Sequence, residues 1–204
     1  MLKYLDPLFL IQSAGLIGVL FIIFAESGLF FGFFLPGDSL LFTAGFLASQ
    51  GYFNLFVLIV LTFFAAVLGD NFGYQFGKHI GPKIFTKEDS LFFRKEHVIR
   101  TKKFYERYGK KALVIARFIP IVRTFTPILA GVGQMEYKTF FTYNLIGGAA
   151  WTLLLINLGF FLGTLIKDAD RFILPIVLVI IVISFLPGVW EIIKIKKESQ
   201  NKKI

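Results

Sequence analysis

The sequence predicts an all-α integral membrane protein: two inverted repeats, each a re-entrant helical hairpin followed by a transmembrane helix, with one further transmembrane helix towards the C-terminus. Three observations lead there. The 204 residues are 56% apolar and include 27 phenylalanines, with a mean hydropathy of +0.72, well above what a soluble chain of this length carries. Proline interrupts the apolar stretches at Pro36 and Pro120, where a continuous helix would otherwise run. The net charge of +9 is concentrated beside apolar spans: residues 78–111 hold 11 Lys/Arg against 4 Asp/Glu, and the tail from Glu191 holds 5 against 2. That distribution marks cytoplasmic segments under the positive-inside rule and argues against a nucleic-acid surface. With no cysteine there is neither a disulfide framework nor a thiolate metal site.

The first hairpin occupies residues 8–50. Its apolar run is too long for one span and is interrupted by Glu26 and by the turn sequence Pro36-Gly37-Asp38, so it folds as two arms about a turn. Lys3 ahead of Leu8–Ala25 imitates the start of a signal peptide, but no polar domain follows. Leu8–Ala25 is itself long enough to cross a bilayer, which leaves the side of the N-terminus open.

A full span follows over residues 53–77. It ends with Gly69, Gly73 and Gly77 at four-residue spacing, a small-residue stripe along which another helix can approach closely, within the chain or in a homo-oligomer. Asp70 lies one turn in from the basic side, where it either pairs with Lys78 at the interface or belongs to a pathway through the membrane. Residues 78–111 form a cytoplasmic basic amphipathic segment. Asp89-Ser90 caps a helix through Tyr108 that lies on anionic headgroups. His79 and His97, 18 residues apart, do not make a metal site.

The second re-entrant hairpin spans 112–134. Pro120 removes a backbone donor and pushes Ile119 away from helical angles, so a helix entering at Ala112 breaks there and returns. Pro36, Gly37, Pro120 and Pro127 mark the hairpin tips. Spans at 137–164 and 172–193 are joined by a short, electrically neutral outer loop, and the basic tail 194–204 ends in the cytoplasm.

The two hairpins resemble each other: F-L-P-G-D-S-L-L-F-T-A-G at 34–45 and F-I-P-I-V-R-T-F-T-P-I-L-A-G at 118–131 share F-x-P and A-G ends. The following spans align Gly73 and Gly77 with Gly159 and Gly163. An odd number of crossings between the copies inverts the second, and broken helices in inverted repeats mark binding sites in secondary transporters.

If the tips meet, Glu26 and Asp38 face Arg117 and Arg123. A lone carboxylate in low dielectric takes a proton or finds a cation, and arginine stays charged, so mutual pairing is the cheapest arrangement. Protonation of the acids then frees the guanidinium forks for a phosphate. Arg117 and Arg123 are therefore the expected substrate ligands, Glu26 and Asp38 the proton-coupling acids, and Asp70 a candidate pathway residue. No metal or other cofactor is expected.

R-F-I-P-I-V-R-T-F followed by A-G-V-G, the acid twelve residues before the aspartate of L-P-G-D-S-L, and G-D-x-x-G-Y-x-x-G at 69–77 resemble the DedA family, part of the VTT-domain or SNARE-associated Golgi protein superfamily. The resemblance covers nearly the whole chain. It implies a multi-pass bacterial cytoplasmic-membrane protein with opposed re-entrant hairpins, acting in lipid-carrier recycling and envelope homeostasis. The activity it implies is proton-coupled flipping of an anionic lipid headgroup, undecaprenyl phosphate or phospholipid. The family's functional acids fall on Glu26 and Asp38 and its arginines on Arg117 and Arg123; the SNARE label carries no implication of vesicle fusion. One departure is Ile121, where the arginine motif usually has glycine, so headgroup selectivity stays open.

Three other classes compete. A membrane phosphatase would need a nucleophile near the arginines, and neither histidine nor a G-x-S-x-G, H-E-x-x-H or P-loop motif supplies one, so an enzyme is not expected. A structural assembly protein would explain the phenylalanines and glycines but not ionisable residues at hairpin tips. A proton-coupled exporter of small solutes, cations or drugs is the nearer rival, because acids facing a cavity suit that chemistry too.

Overall fold

The structure, a computed structural model, describes residues 7–29, 32, 35–84 and 111–165. The amphipathic helix expected up to Tyr108, the span at 172–193 and the tail 194–204 lie outside the described residues. Regular structure among the described residues is helical throughout: α1 (Pro7–Gly28), α2 (Gly37–Ser49), α3 (Leu55–Ile84), α4 (Ala112–Ala116), α5 (Pro120–Val132) and α6 (Tyr137–Leu165).

Two helices are long and apolar enough to cross a membrane, α3 over Leu55–Ile80 and α6 over its full length. Their outward faces are apolar as well. Phe56, Phe64, Leu68 and Phe72 on α3, and Leu154, Leu158 and Phe161 on α6, are all exposed, where a water-facing helix would carry charge. The α3 helix continues past Gly77 to Ile84. Gly77 does not terminate it because it is a packing glycine in helical conformation, pressed against the Ile128 carbonyl of α5.

The helices fit together through such glycines. The α2 helix lies along α6, α5 lies along α3, and α1 also packs on α3. A methyl group at Gly45 would collide with the Ile156 backbone, and one at Gly159 with that of Phe42; on the other side Gly131 meets Tyr74, and Gly77 meets Ile128. Gly28 and Gly69 likewise appose α1 and α3. The small-residue stripe of α3 thus faces helices of its own chain, where close approach maximises dispersion contacts that an apolar solvent cannot otherwise provide.

Two apolar clusters fill the space between. Ile23, Leu41, Leu58, Ala66, Trp151 and Ile156 form the larger. Tyr74, Leu113, Ala130 and Phe140 form the smaller, with Tyr74 and Phe140 stacked at 4.4 Å and the Tyr74 hydroxyl donating to the Met135 carbonyl at 2.5 Å.

The breaks that precede α2 and α5 each end at a proline. Ahead of α2, the Gly32 N–H donates to Leu29 O and the Leu35 N–H to Gly32 O, each at 2.8 Å. Between α4 and α5 the backbone leaves the helix at Arg117, and Ile119 is extended (φ −112°, ψ 107°) before Pro120 opens α5. Proline suits that first position because its missing N–H has no helical partner there anyway. Pro127, expected at a hairpin tip, is instead inside α5. The helix continues through it to Val132, and the Arg123 carbonyl lacks the N–H that a residue other than proline would offer it.

Candidate functional site

Four helices converge on Arg123. Its side chain is only 8% exposed, although it lies in the first turn of α5, because α1, α2 and α6 close around it. The guanidinium pairs with Glu26 Oε1 from α1, and its second nitrogen donates to Asp38 Oδ1 of α2 at 2.5 Å. The Trp151 indole N–H of α6 donates to that same aspartate oxygen at 2.8 Å. The indole face lies against the guanidinium, with the Arg123 Cζ 4.5 Å from the ring centroid. One cation is therefore gripped at its edge by two carboxylates and on its face by an aromatic ring.

Local sequence makes this possible. Glu26 lies in the buried last turn of α1, two residues before Gly28, and Asp38 occupies the first turn of α2, where the helix dipole favours an anion. Between them Gly37 leaves room for the Glu26 carboxylate: a Cβ there would overlap it, so a larger residue would have to displace that side chain. The Glu26 Oε2 atom is buried and has no hydrogen-bond partner among the described residues.

Arg117 occupies a separate station. It leaves the turn after α4, is 7% exposed, and pairs with Asp70 Oδ2 on α3. Its other terminal nitrogen donates to the Asn144 carbonyl and to Asn144 Oδ1, both at 3.0 Å. Asn144 is itself fixed by donating to the Val67 carbonyl at 3.2 Å. Gly147 and Gly148 clear the channel for the arginine, with a Cβ at Gly148 falling 3.0 Å from its guanidinium.

The two stations are neighbours. Arg117, Arg123, Asp70 and Asn144 line one small pocket with Leu113, Thr126, Pro127 and Phe140, a cavity of about 20 Å³. Arg117 also approaches the Trp151 ring, at 5.9 Å. Three carboxylates thus face two guanidiniums in an otherwise apolar bundle. Such groups hold one another in place, since removing one partner of a buried pair leaves an uncompensated charge worth about 3–5 kcal/mol. Among the described residues no cluster of three or more His, Asp or Glu could hold a metal.

The sequence places Glu26, Asp38, Arg117 and Arg123 at a single meeting point, and the structure divides them. Glu26 and Asp38 go to Arg123 alone, while Arg117 reaches Asp70, which turns inward and not towards Lys78. Asn144 and Trp151 were not among the residues expected from sequence. The available clue was a tryptophan and an asparagine in the interior of a span, away from the interface belt where tryptophan concentrates.

Comparison with known proteins agrees with this architecture. The VTT domain family profile matches residues 35–161, which contain both arginines, Asp38, Asp70 and Trp151. The chain is 47% identical over 178 residues to the protein DedA of Escherichia coli K12, covering 86% of this chain and 81% of that one. It is 40% identical over 205 residues to an uncharacterized membrane protein of Mycobacterium tuberculosis H37Rv, covering 97% and 89%. It is 32% identical over 183 residues to the inner membrane protein YqjA of Escherichia coli K12, covering 83% of each. No solved structure matches the chain. The chain belongs to the DedA family of VTT-domain membrane proteins.

Proposed function

We propose that this protein carries an anionic lipid headgroup, a polyprenyl phosphate or a phospholipid, across the cytoplasmic membrane in a proton-coupled cycle. The observation that carries the reading is Arg123, a buried guanidinium whose N–H fork is occupied by two exchangeable carboxylates, Glu26 and Asp38. A phosphate presents oxygens of the same geometry to the same fork. Proton uptake by the acids weakens their hold and leaves the fork to the phosphate; proton release returns them and expels it. Arg117, with Asp70 as its internal counter-ion, adds the second cation at the edge of the same pocket.

The inverted-repeat arrangement is part of this proposal, and the helix contacts support it. The α2–α6 pair meets through Gly45 with Ile156 and Gly159 with Phe42; the α5–α3 pair meets through Gly131 with Tyr74 and Gly77 with Ile128. These contacts superimpose if Gly45 corresponds to Gly131 and Gly77 to Gly159. The spans then match one helical turn away from the Gly73–Gly159 alignment, with a connection between hairpin and span that is shorter in the second copy. Exchange of two such units about an axis in the membrane plane would open the pocket alternately to the two sides.

The excess of one carboxylate over the two guanidiniums favours a second reading, proton-coupled export of a small cation or drug. Proteoliposomes separate the two. The lipid reading expects protein-dependent transbilayer movement of a fluorescent short-chain polyprenyl phosphate, with the matching uncharged polyprenol left behind. Proton-driven accumulation of ethidium, with no movement of the phosphate lipid, would establish the cation reading in its place.

A further inference from the structure

We infer that Trp151 is a positioning residue for the anion site, a fixed aromatic floor that keeps the Arg123 guanidinium in place when Glu26 and Asp38 release it. The inference deepens the proposed function and depends on Arg123 being the anion ligand. A guanidinium offers its N–H donors in its plane and its π-face perpendicular to them. The carboxylates use the edge of Arg123, and Trp151 uses the face, with 4.5 Å between Cζ and the ring centroid. The two grips are therefore independent: exchanging carboxylate for phosphate oxygens at the edge leaves the face contact intact.

The indole can act as a floor because packing holds it on its other sides. Trp151 is 2% exposed and packed into the larger apolar cluster with Leu41 and Leu58. Without it, a released Arg123 would have a flexible side chain and a competing partner, since Asp70 of α3 lines the same pocket. The ionisable groups that could claim it are Glu26 from α1, Asp38 from α2 and Asp70 from α3, and Arg117 would repel it. The indole N–H adds a second contribution. It now donates to Asp38 Oδ1, the oxygen that Arg123 also uses, so a phosphate oxygen taking that place inherits a ready donor.

Trp190 is the only other tryptophan, so Trp190→Phe leaves Trp151 as the sole emitter. In detergent, hexyl phosphate added to that protein should alter Trp151 emission, and Arg123→Gln should abolish the response. By calorimetry, Trp151→Leu should weaken hexyl phosphate binding about 5- to 30-fold, the range expected for a desolvated cation–π contact, and Trp151→Phe, which keeps a ring but lacks the N–H, should fall between. Calorimetric binding that leaves Trp151 emission unchanged would overturn the inference without any substitution at 151. So would a helical, monodisperse Trp151→Leu protein that binds as tightly as its parent. If the Trp190→Phe protein binds no hexyl phosphate at all, the anion-site reading itself fails, and that is seen before position 151 is touched.

Discussion

Arginine in an apolar bundle is stable only with a partner, and the two arginines solve the problem differently. Arg117 is held by one acid, Asp70, and by both oxygens of Asn144, an arrangement suited to holding a turn in place. Arg123 is shared between two acids, one of which keeps a buried oxygen without a hydrogen-bond partner among the described residues, an arrangement suited to exchange. This difference predicts different responses to neutralisation. Asp70→Asn alone should destabilise the folded protein by about 3–5 kcal/mol, because Arg117 is left charged and buried, and adding Arg117→Gln should recover part of that loss. Denaturation of the singles and the double in one detergent measures the coupling, and strictly additive losses would contradict the pairing. Gly37 makes a second test. Gly37→Ala puts a methyl group where the Glu26 carboxylate now lies, so transport should fall to the level of Glu26→Gln while helicity by circular dichroism stays unchanged.

At the scale of elements, the helices are held by glycine contacts and not by polarity. Gly77→Val would drive a branched side chain into the Ile128 backbone and Gly159→Val into that of Phe42, each costing about 1–3 kcal/mol by overpacking. If the proposed repeat holds, the two occupy matching positions in the α3–α5 and α6–α2 contacts, and thermal unfolding in detergent should show similar losses; a large loss at one and none at the other would argue against the repeat. The elements were also where sequence was most informative. A proline after an extended residue locates the break before α5, and hydropathy locates α3 and α6. Pro127 was misplaced because proline chemistry alone does not distinguish a helix break from a position whose neighbours preserve the helix. The α3 helix runs past the expected end of the span at Gly77, because the basic residues from Lys78 onward mark where the apolar stretch ends and not where the helix does.

For the whole molecule, the convergence of Glu26 and Asp38 on Arg123 could be anticipated because a buried arginine in an apolar bundle is held most cheaply by carboxylates. The Arg117–Asp70 pair could not, since the two residues belong to different elements with no shared periodicity, and Lys78 offered Asp70 a nearer partner in sequence. Trp151 was hidden for another reason: a tryptophan in an apolar run gives no indication of whether its N–H meets a carboxylate. What unites the two stations is a single pocket between helices whose outer surfaces are apolar, so the ionisable groups lie inside and the lipid-facing wall outside. The most direct measurement of the central claim is transbilayer movement of a labelled polyprenyl phosphate in liposomes containing the purified protein, beside Arg123→Ala and Glu26→Gln, at two pH values. The account predicts movement by the parent protein that depends on pH, abolished by Arg123→Ala and stripped of its pH dependence by Glu26→Gln, with all three proteins folded. Unaltered movement in the folded Arg123→Ala protein would contradict it.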